Sequence, residues 1–519
     1  MRTIFVLFDS LNRSALGTYG GTAVATPNFD RFAARALTFD RHYVGSLPCM
    51  PARRDMHTGR LNFPHRSWGP LEPFDNSFAQ LLKDAGTYTH LISDHLHYFE
   101  EGGTGFHTRF HTWDFIRGQE HDPWIAMVEP PVERFRRTYS EKHYPFDRSD
   151  KRFNGMVNRE VQHDEADLPG PRCFAAAMEF LDRNAGADDW LLMLECFDPH
   201  EPFHAPDRFK AAYETGWDGK ILDWPRYAEV TESEDEIREI RANYAALVAM
   251  CDSYFGELLD RFDAEELWKD TALVLSTDHG FLLSEHDWWG KMRTPYYEEI
   301  SHIPLMIHDP RAPDAAGRRT EALTQTADLM PTLLGLHGIT PPAEVRAHDL
   351  GAVCADPDTT VRELAVFGLF GGPIGVTDGR HALYHYPPDL YAEGLREYTL
   401  APAHMDTFFT PEELVTAELA PGFDFTKGVP ILSVAALPTA KRVPMNDGLA
   451  FGDVGTRLFD VVVDPAQQTP LDAPETAAML LEGAVGVLRD HDTPPEVYRW
   501  YGLEPRLDDQ REDTHEAAR

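Results

Sequence analysis

Three runs in this chain are almost wholly apolar and rich in β-formers, and each stops abruptly at ionisable groups. Residues 3–8, Thr-Ile-Phe-Val-Leu-Phe, are followed by Asp9-Ser10. Residues 190–197 run into Asp198-Pro199-His200, and residues 271–276 run into Thr277-Asp278-His279-Gly280. Strands of this kind are buried on both faces, which is the pattern of a parallel sheet covered by helices. The C-terminal ends of parallel strands lie together, and open α/β sheets bind their ligands there. Asp9, His200, Asp278 and His279 are therefore expected to converge although they are far apart in sequence. Taken singly, Asp9 is equally well read as the cap of the following turn.

Helical segments alternate with these strands. Phe29, Phe32, Ala33, Ala36 and Leu37 recur at helical spacing after the start signal Thr26-Pro27. Helices are also expected over 77–85, 172–184 and 232–262, and through ADLMPTLLGLHGI at 327–339; further strands are expected over 39–44, 88–93 and 304–307. The strand 88–93 delivers His95 and His97, which an extended segment would turn to one side; for either alone, a satisfied core or surface histidine is the ordinary explanation. Residues 100–170 have weak periodicity and read as an insertion with substrate-facing loops. From about residue 360 the segments shorten and alternate, with a hairpin signal at Asp378-Gly379 and a further strand in TRLFDVVVDP. The expected architecture is α/β: a large, mostly parallel central sheet flanked by helices over 1–360, a smaller α+β domain on an antiparallel sheet over 361–500, and an acidic tail over 501–519.

At 519 residues, two domains are the natural expectation. The formal net charge of −37 disfavours nucleic acid and anionic membranes as partners, so an anionic substrate needs a local positive site. The five cysteines are scattered and unpaired in spacing, against a disulfide framework or structural zinc. No leader pattern precedes the first strand and no apolar run is long enough to cross a bilayer, so a cytoplasmic location is the default expectation. Nothing in the sequence decides whether the chain forms a homo-oligomer.

The stretch SLPCMPARRDMHTGR, residues 46–60, holds the chemistry. Pro51 suits the first turn of a helix, with Cys49 just ahead of it near the exposed N–H groups and Arg53 pointing back over the same turn. An isolated cysteine here is most often an inert small hydrophobe. Two aspartates and a histidine arriving at the same sheet edge, however, form a plausible set for a divalent metal. Arg53 and Lys291 supply positive charge for an anionic tetrahedral group. Together these groups point to metal-assisted transfer of a charged group.

Several segments resemble the sulfatase family of the alkaline phosphatase superfamily, including its phosphonate monoester hydrolase-like and choline-sulfatase-like members. They are the first strand with Asp9, LGTYG, TPNFDRFAARALTF, Cys49-Met50-Pro51-Ala52-Arg53 with Thr58-Gly59-Arg60, DPHEPF, TDHG, EHDWWGK, ADLMPTLL and LFDVVVDP. The C-x-P-x-R element is where family cysteines are oxidised to formylglycine by a separate maturation enzyme. The resemblance implies that the hydrated aldehyde of residue 49 attacks sulfur or phosphorus, displaces the alcohol, and collapses to release the inorganic anion. It further implies Asp9, modified Cys49, Asp278 and His279 as metal ligands, Arg53 as the residue holding the diol, and His200 and Lys291 on the anion or leaving oxygen. His97 falls beside the diol, and His95 stands where the family has a lysine. Ser10 replaces a common aspartate and His279 a common asparagine, which makes the site less negative and tilts the metal from calcium toward manganese. The expected function is hydrolysis of sulfate esters, that is, of a small anionic ester. Hydrolysis of phosphonate monoesters or phosphodiesters is the alternative, and a catalytically silent binding protein of the same fold comes third.

Overall fold

The computed structural model describes residues 1–390, 392–437 and 455–503. Ten strands occupy the first two thirds: β1 (Arg2–Phe8), β2 (Leu37–Tyr43), β3 (Tyr88–Ser93), β4 (Thr112–Phe115), β5 (Trp190–Cys196), β6 (Thr271–Thr277), β7 (Leu282–Leu283), β8 (Trp289–Gly290), β9 (Leu305–His308) and β10 (Arg319–Gln325). Eight form one sheet in the order β10-β2-β9-β6-β1-β5-β3-β4, while β7 and β8 pair as a short ribbon. All neighbours in the large sheet are parallel except β9, which runs antiparallel to both β2 and β6.

The alternation of side chains splits the sheet's burial between two cores. On β1, Ile4, Val6 and Phe8 face the helices Pro27–Ala33, Pro169–Arg183 and Glu234–Ala264. Phe5 and Leu7 face the other side, against Cys49–Thr58, Phe78–Asp84 and Leu329–Leu336. Covering both faces is what makes these strands almost continuously apolar.

The C-terminal region adds β11 (Ala365–Gly368), β12 (Ile374–Thr377), β13 (His381–His385), β14 (Arg396–Thr399), β15 (Glu418–Ala420), β16 (Ile431–Ala435) and β17 (Arg457–Asp460). They form an antiparallel sheet β11-β12-β13-β17 and a second one, β14-β16-β15. The helix Pro474–Asp490 packs on the first of these through Leu480, Leu481, Ala484, Val485 and Leu488. Tyr43, Val44, Leu47, Leu61 and Phe63 share this core, so it clamps the segment that leads into Cys49. Gln325 reinforces the joint by donating through Nε2 to the carbonyls of Val44 and Val366, each at 2.9 Å.

Three local expectations change. The stretch 100–170 is not all loop: it contains the edge strand β4 and the helices Val132–Thr138 and Arg152–Asn158. The strand in TRLFDVVVDP stops at Asp460, where the chain turns and leaves Val462 and Val463 exposed. Tyr501 and Leu503 are buried in the C-terminal core, and from residue 504 the expected acidic tail lies outside the described residues. Among the described residues, no helix is long and apolar enough to cross a membrane.

Candidate active site

Register explains the convergence. Phe8 pairs with Cys196 on one side and Thr277 on the other, so Asp9, Phe197 and Asp278 leave three adjacent strands at one level. Ser10 takes the left-handed conformation there (φ 59). Its N–H donates to Asp278 Oδ1 at 3.1 Å and its hydroxyl to Asp9 Oδ1 at 2.8 Å. Gly280, after His279, packs so closely on the Glu299 carbonyl oxygen that a Cβ would collide with it.

Cys49 is the first residue of the helix Cys49–Thr58 rather than lying just ahead of it, with Pro51 in the first turn as expected. One turn on, Arg53 is fully buried, and its guanidinium reaches three carboxylates. Nε donates to Glu195 Oε1 at 2.6 Å, Nη1 to Asp278 Oδ2 at 2.7 Å, and Nη2 to Asp9 Oδ2 at 2.9 Å. Nη1 also donates to the Cys49 carbonyl at 3.1 Å. Burial opposes the charge on Arg53, yet Glu195, Asp278 and Asp9 together hold it firmly protonated. Burial would likewise raise Asp9, but Lys291 and Arg53 keep it well below the ordinary carboxylate range.

Glu195 is the main residue that sequence reasoning missed. It occupies the strand position after Met193 and Leu194, on the face that carries the Cys49–Thr58 helix. The available signal was a single carboxylate inside an otherwise apolar strand, where a charge persists only when paired. Burial pushes Glu195 up while Arg53 opposes it.

Cys49 Sγ lies 3.3 Å from His279 Nε2. Burial, and next the charge of Asp9, raise its thiol well above the ordinary value, so the unmodified side chain is a poor nucleophile. Burial also holds His279 neutral, leaving an imidazole nitrogen available as a ligand. Asp9, Cys49, Asp278 and His279 place their ligating atoms within 4.8 Å of one another. That donor set, of two carboxylates, one imidazole and one more atom on residue 49, fits a divalent cation. Charge agrees: Asp9, Asp278 and Glu195 outnumber Arg53 and Lys291 by one.

Lys291, just after β8, brings Nζ to 3.7 Å from Asp9 Oδ1 and donates to Ser10 Oγ at 3.4 Å. His200 donates through Nδ1 to the Glu201 carbonyl at 2.6 Å, which leaves Nε2 for the site; burial and then Lys291 lower it to about 3. His95 and His97 do not sit on an extended segment as expected. They belong to a 3-10 turn, Leu96–Phe99 and its cap, which still brings the two rings to 5.0 Å. His95 Nε2 is 3.6 Å from Asp9 Oδ2, and neither ring nitrogen of His95 has a hydrogen-bond partner among the described residues. His97 Nδ1 pairs with Glu100 Oε2 at 2.5 Å. All nine residues singled out from the sequence thus lie in one connected region.

A mostly parallel sheet with helices on both faces, whose central strand ends gather ligands around a buried guanidinium, defines an alkaline phosphatase-like hydrolase. The chain belongs to the sulfatase family, whose model, Sulfatase, matches residues 2–339. It is 24% identical over 475 residues to an N-acetylglucosamine-6-O-sulfatase of Bacteroides thetaiotaomicron, covering 79% of this chain and 83% of the relative. It is 27% identical over 376 residues to the multifunctional alkaline phosphatase superfamily protein PehA of Trinickia caryophylli, covering 61% and 69%. In fold it is similar to BT4656 solved in complex with its substrate D-glucosamine-2-N,6-O-disulfate, with TM-score 0.64, 16% identity, and 95% of this chain and 99% of that one covered. The phosphonate monoester hydrolase of Agrobacterium radiobacter is also similar, with TM-score 0.61, 16% identity and coverage of 94% and 96%.

Proposed function

We propose that this sulfatase-family hydrolase cleaves sulfate esters with a formylglycine derived from Cys49 and one divalent metal. The observation that carries the reading is the buried cluster of Asp9, Cys49, Asp278 and His279, with Arg53 bonded to both aspartates and to the Cys49 carbonyl. Asp9, Asp278, His279 and residue 49 would hold the metal, calcium or manganese, which supplies Lewis-acid polarisation of the ester and of the attacking oxygen.

The chain's own residues supply the rest. Arg53 is locked by three carboxylates and fixes the first helical turn, and hence the position of residue 49. Lys291 presents a fixed positive charge to the equatorial oxygens of the anion. Neutral His200 offers Nε2 to the leaving oxygen, and His95 and His97 line the side of the site reached from the turn after β3. A maturation enzyme acting on Cys49 is part of this proposal, as is a cytoplasmic location.

The same cluster supports hydrolysis of phosphonate monoesters or phosphodiesters as a second reading, since these are monoanionic esters as sulfate esters are, and a phosphonate monoester hydrolase shares the fold. The deciding test compares kcat/KM for an aryl sulfate, an alkyl sulfate, a phosphonate monoester and a phosphodiester, each with calcium and with manganese. Preference for the sulfates supports the first reading, and preference for the phosphorus esters replaces it by the second. Mass spectrometry of the peptide containing Cys49, from cells that hold the maturation enzyme, should show the aldehyde or its hydrate. Unmodified thiol in a fully active sample contradicts the mechanism.

A further inference from the structure

Beside the strand-end site lies a second group of charges that hydrolysis itself does not use. Glu100 is satisfied: Oε2 pairs with His97 Nδ1 at 2.5 Å and Oε1 with Lys151 Nζ at 3.2 Å. Glu120 is not. Its Oε1 takes His121 Nδ1 at 3.1 Å, but its Oε2 is buried with no hydrogen-bond partner among the described residues, 3.7 Å from His97 Nε2. Glu201 repeats the pattern. Its Oε1 accepts the Tyr227 hydroxyl, while its Oε2 is buried without a hydrogen-bond partner among the described residues, 3.3 Å from a His200 Nδ1 that donates elsewhere. The Glu120 side chain is 10% exposed and that of Glu201 2%.

Glu120 is held in place by unusual means. Its backbone is left-handed (φ 48), a costly conformation for a residue with a side chain. The preceding Gln119 anchors the turn by donating to Asp198 Oδ1 at 2.8 Å and Asp94 Oδ2 at 3.4 Å, at the ends of β5 and β3. Glu201 directly follows His200 and Glu120 faces His97, so both carboxylates border the histidine side of the site.

Glu201 is short of positive charge, whereas Glu120 has the protonated His121 on one of its two oxygens. The groups around Glu201 are Lys291, Tyr227, His200 and Glu120; burial, eased by Lys291 and worsened by Glu120, lifts its carboxyl to about 7. Lys291 is shared with Asp9, and a bound anionic ester draws its charge further away from Glu201. An apolar or anionic alcohol would leave two buried carboxylate oxygens unpaired, an unfavourable state for buried acceptors. A hydroxyl would satisfy their lone pairs but not their charge. An ammonium satisfies both.

We infer that Glu120 and Glu201 form the subsite for the alcohol part of the ester, and that this alcohol carries an ammonium group, as an amino sugar or a small amino alcohol does. The inference rests on the hydrolase reading above and specifies its substrate class.

The test uses the mature, metal-loaded enzyme and matched ester pairs: ethanolamine sulfate against propyl sulfate, and the corresponding phenylphosphonate monoesters. The wild type is expected to favour the ammonium member by about 10-fold or more in kcat/KM, the effect of one charge-assisted contact. Glu201→Gln and Glu120→Gln should each shrink that ratio, provided their melting temperatures show them folded. Equal rates for both members, or a ratio that neither substitution changes, overturns the inference while leaving the hydrolase reading intact. Turnover of neither pair defeats the hydrolase reading instead. In that case NMR titration of the wild type with free ethanolamine decides the subsite: saturable binding weakened by Glu201→Gln supports it, and no binding overturns it. A second equivalent of bound metal that disappears in Glu120→Gln also overturns it, because a metal would then be the cation.

Discussion

The two charged regions beside residue 49 are built on different principles. At the strand ends, Asp9, Asp278 and Glu195 are each bonded to Arg53, and the cluster is fully buried. In the neighbouring loops, Glu120 and Glu201 each keep one buried oxygen without a partner among the described residues. Buried ion pairs survive only when geometry repays desolvation, and a rigid sheet edge provides that geometry. The loops provide only partial pairing, as expected of groups completed by a ligand. On the proposed reading, the first region carries the reaction and the second selects the alcohol.

The largest expected effect lies in the first region. Cys49→Ala should lower kcat/KM by at least about 10⁴-fold, as loss of a nucleophile does, with an unchanged far-UV circular dichroism spectrum. Substantial residual turnover would place the nucleophile elsewhere. Arg53→Gln should destabilise the fold by about 3–5 kcal/mol, since it strands buried carboxylates; an unchanged denaturation midpoint would show that the three pairs contribute little. Glu195→Gln is milder. It keeps the shape and an acceptor oxygen for Arg53 Nε but removes the charge, and about a 10-fold fall in kcat with unchanged KM and metal content is expected of a positioning residue. A rise in KM alone would assign Glu195 to substrate binding instead.

The smallest effect sharpens the second region. His121 is raised from 6.5 to about 9, burial being outweighed by Glu120 and Glu100. Its protonated form therefore adds stability that is complete below 6.5 and is lost as pH rises through about 9. Thermal melts across that window should show a decline that His121→Gln flattens. The same decline in both proteins would assign the effect to another group.

How much of this was legible beforehand depended on periodicity. The strands ending at Asp9, His200 and Asp278-His279 were visible because full burial leaves an apolar run with a sharp polar end. The helices Pro169–Arg183 and Glu234–Ala264 were visible because their apolar faces repeat. Glu195 was hidden inside such a run, since the residue that pairs with it is 142 positions away. Glu120 and His121 were hidden because loops carry no period. His95 and His97 were correctly paired in space but assigned the wrong backbone, because a 3-10 turn and an extended strand can both bring i and i+2 side chains near each other.

The sequence by itself determined the sheet, the identity of Cys49, Arg53, Asp9, Asp278 and His279, and their meeting at one edge, because parallel strands of matched length must end together. Only the tertiary structure decided that Arg53 is shared among three carboxylates and that Glu120 and Glu201 border His200 with oxygens to spare. Those facts depend on which face of a strand meets which helix and on how a loop folds back, and long-range packing sets both.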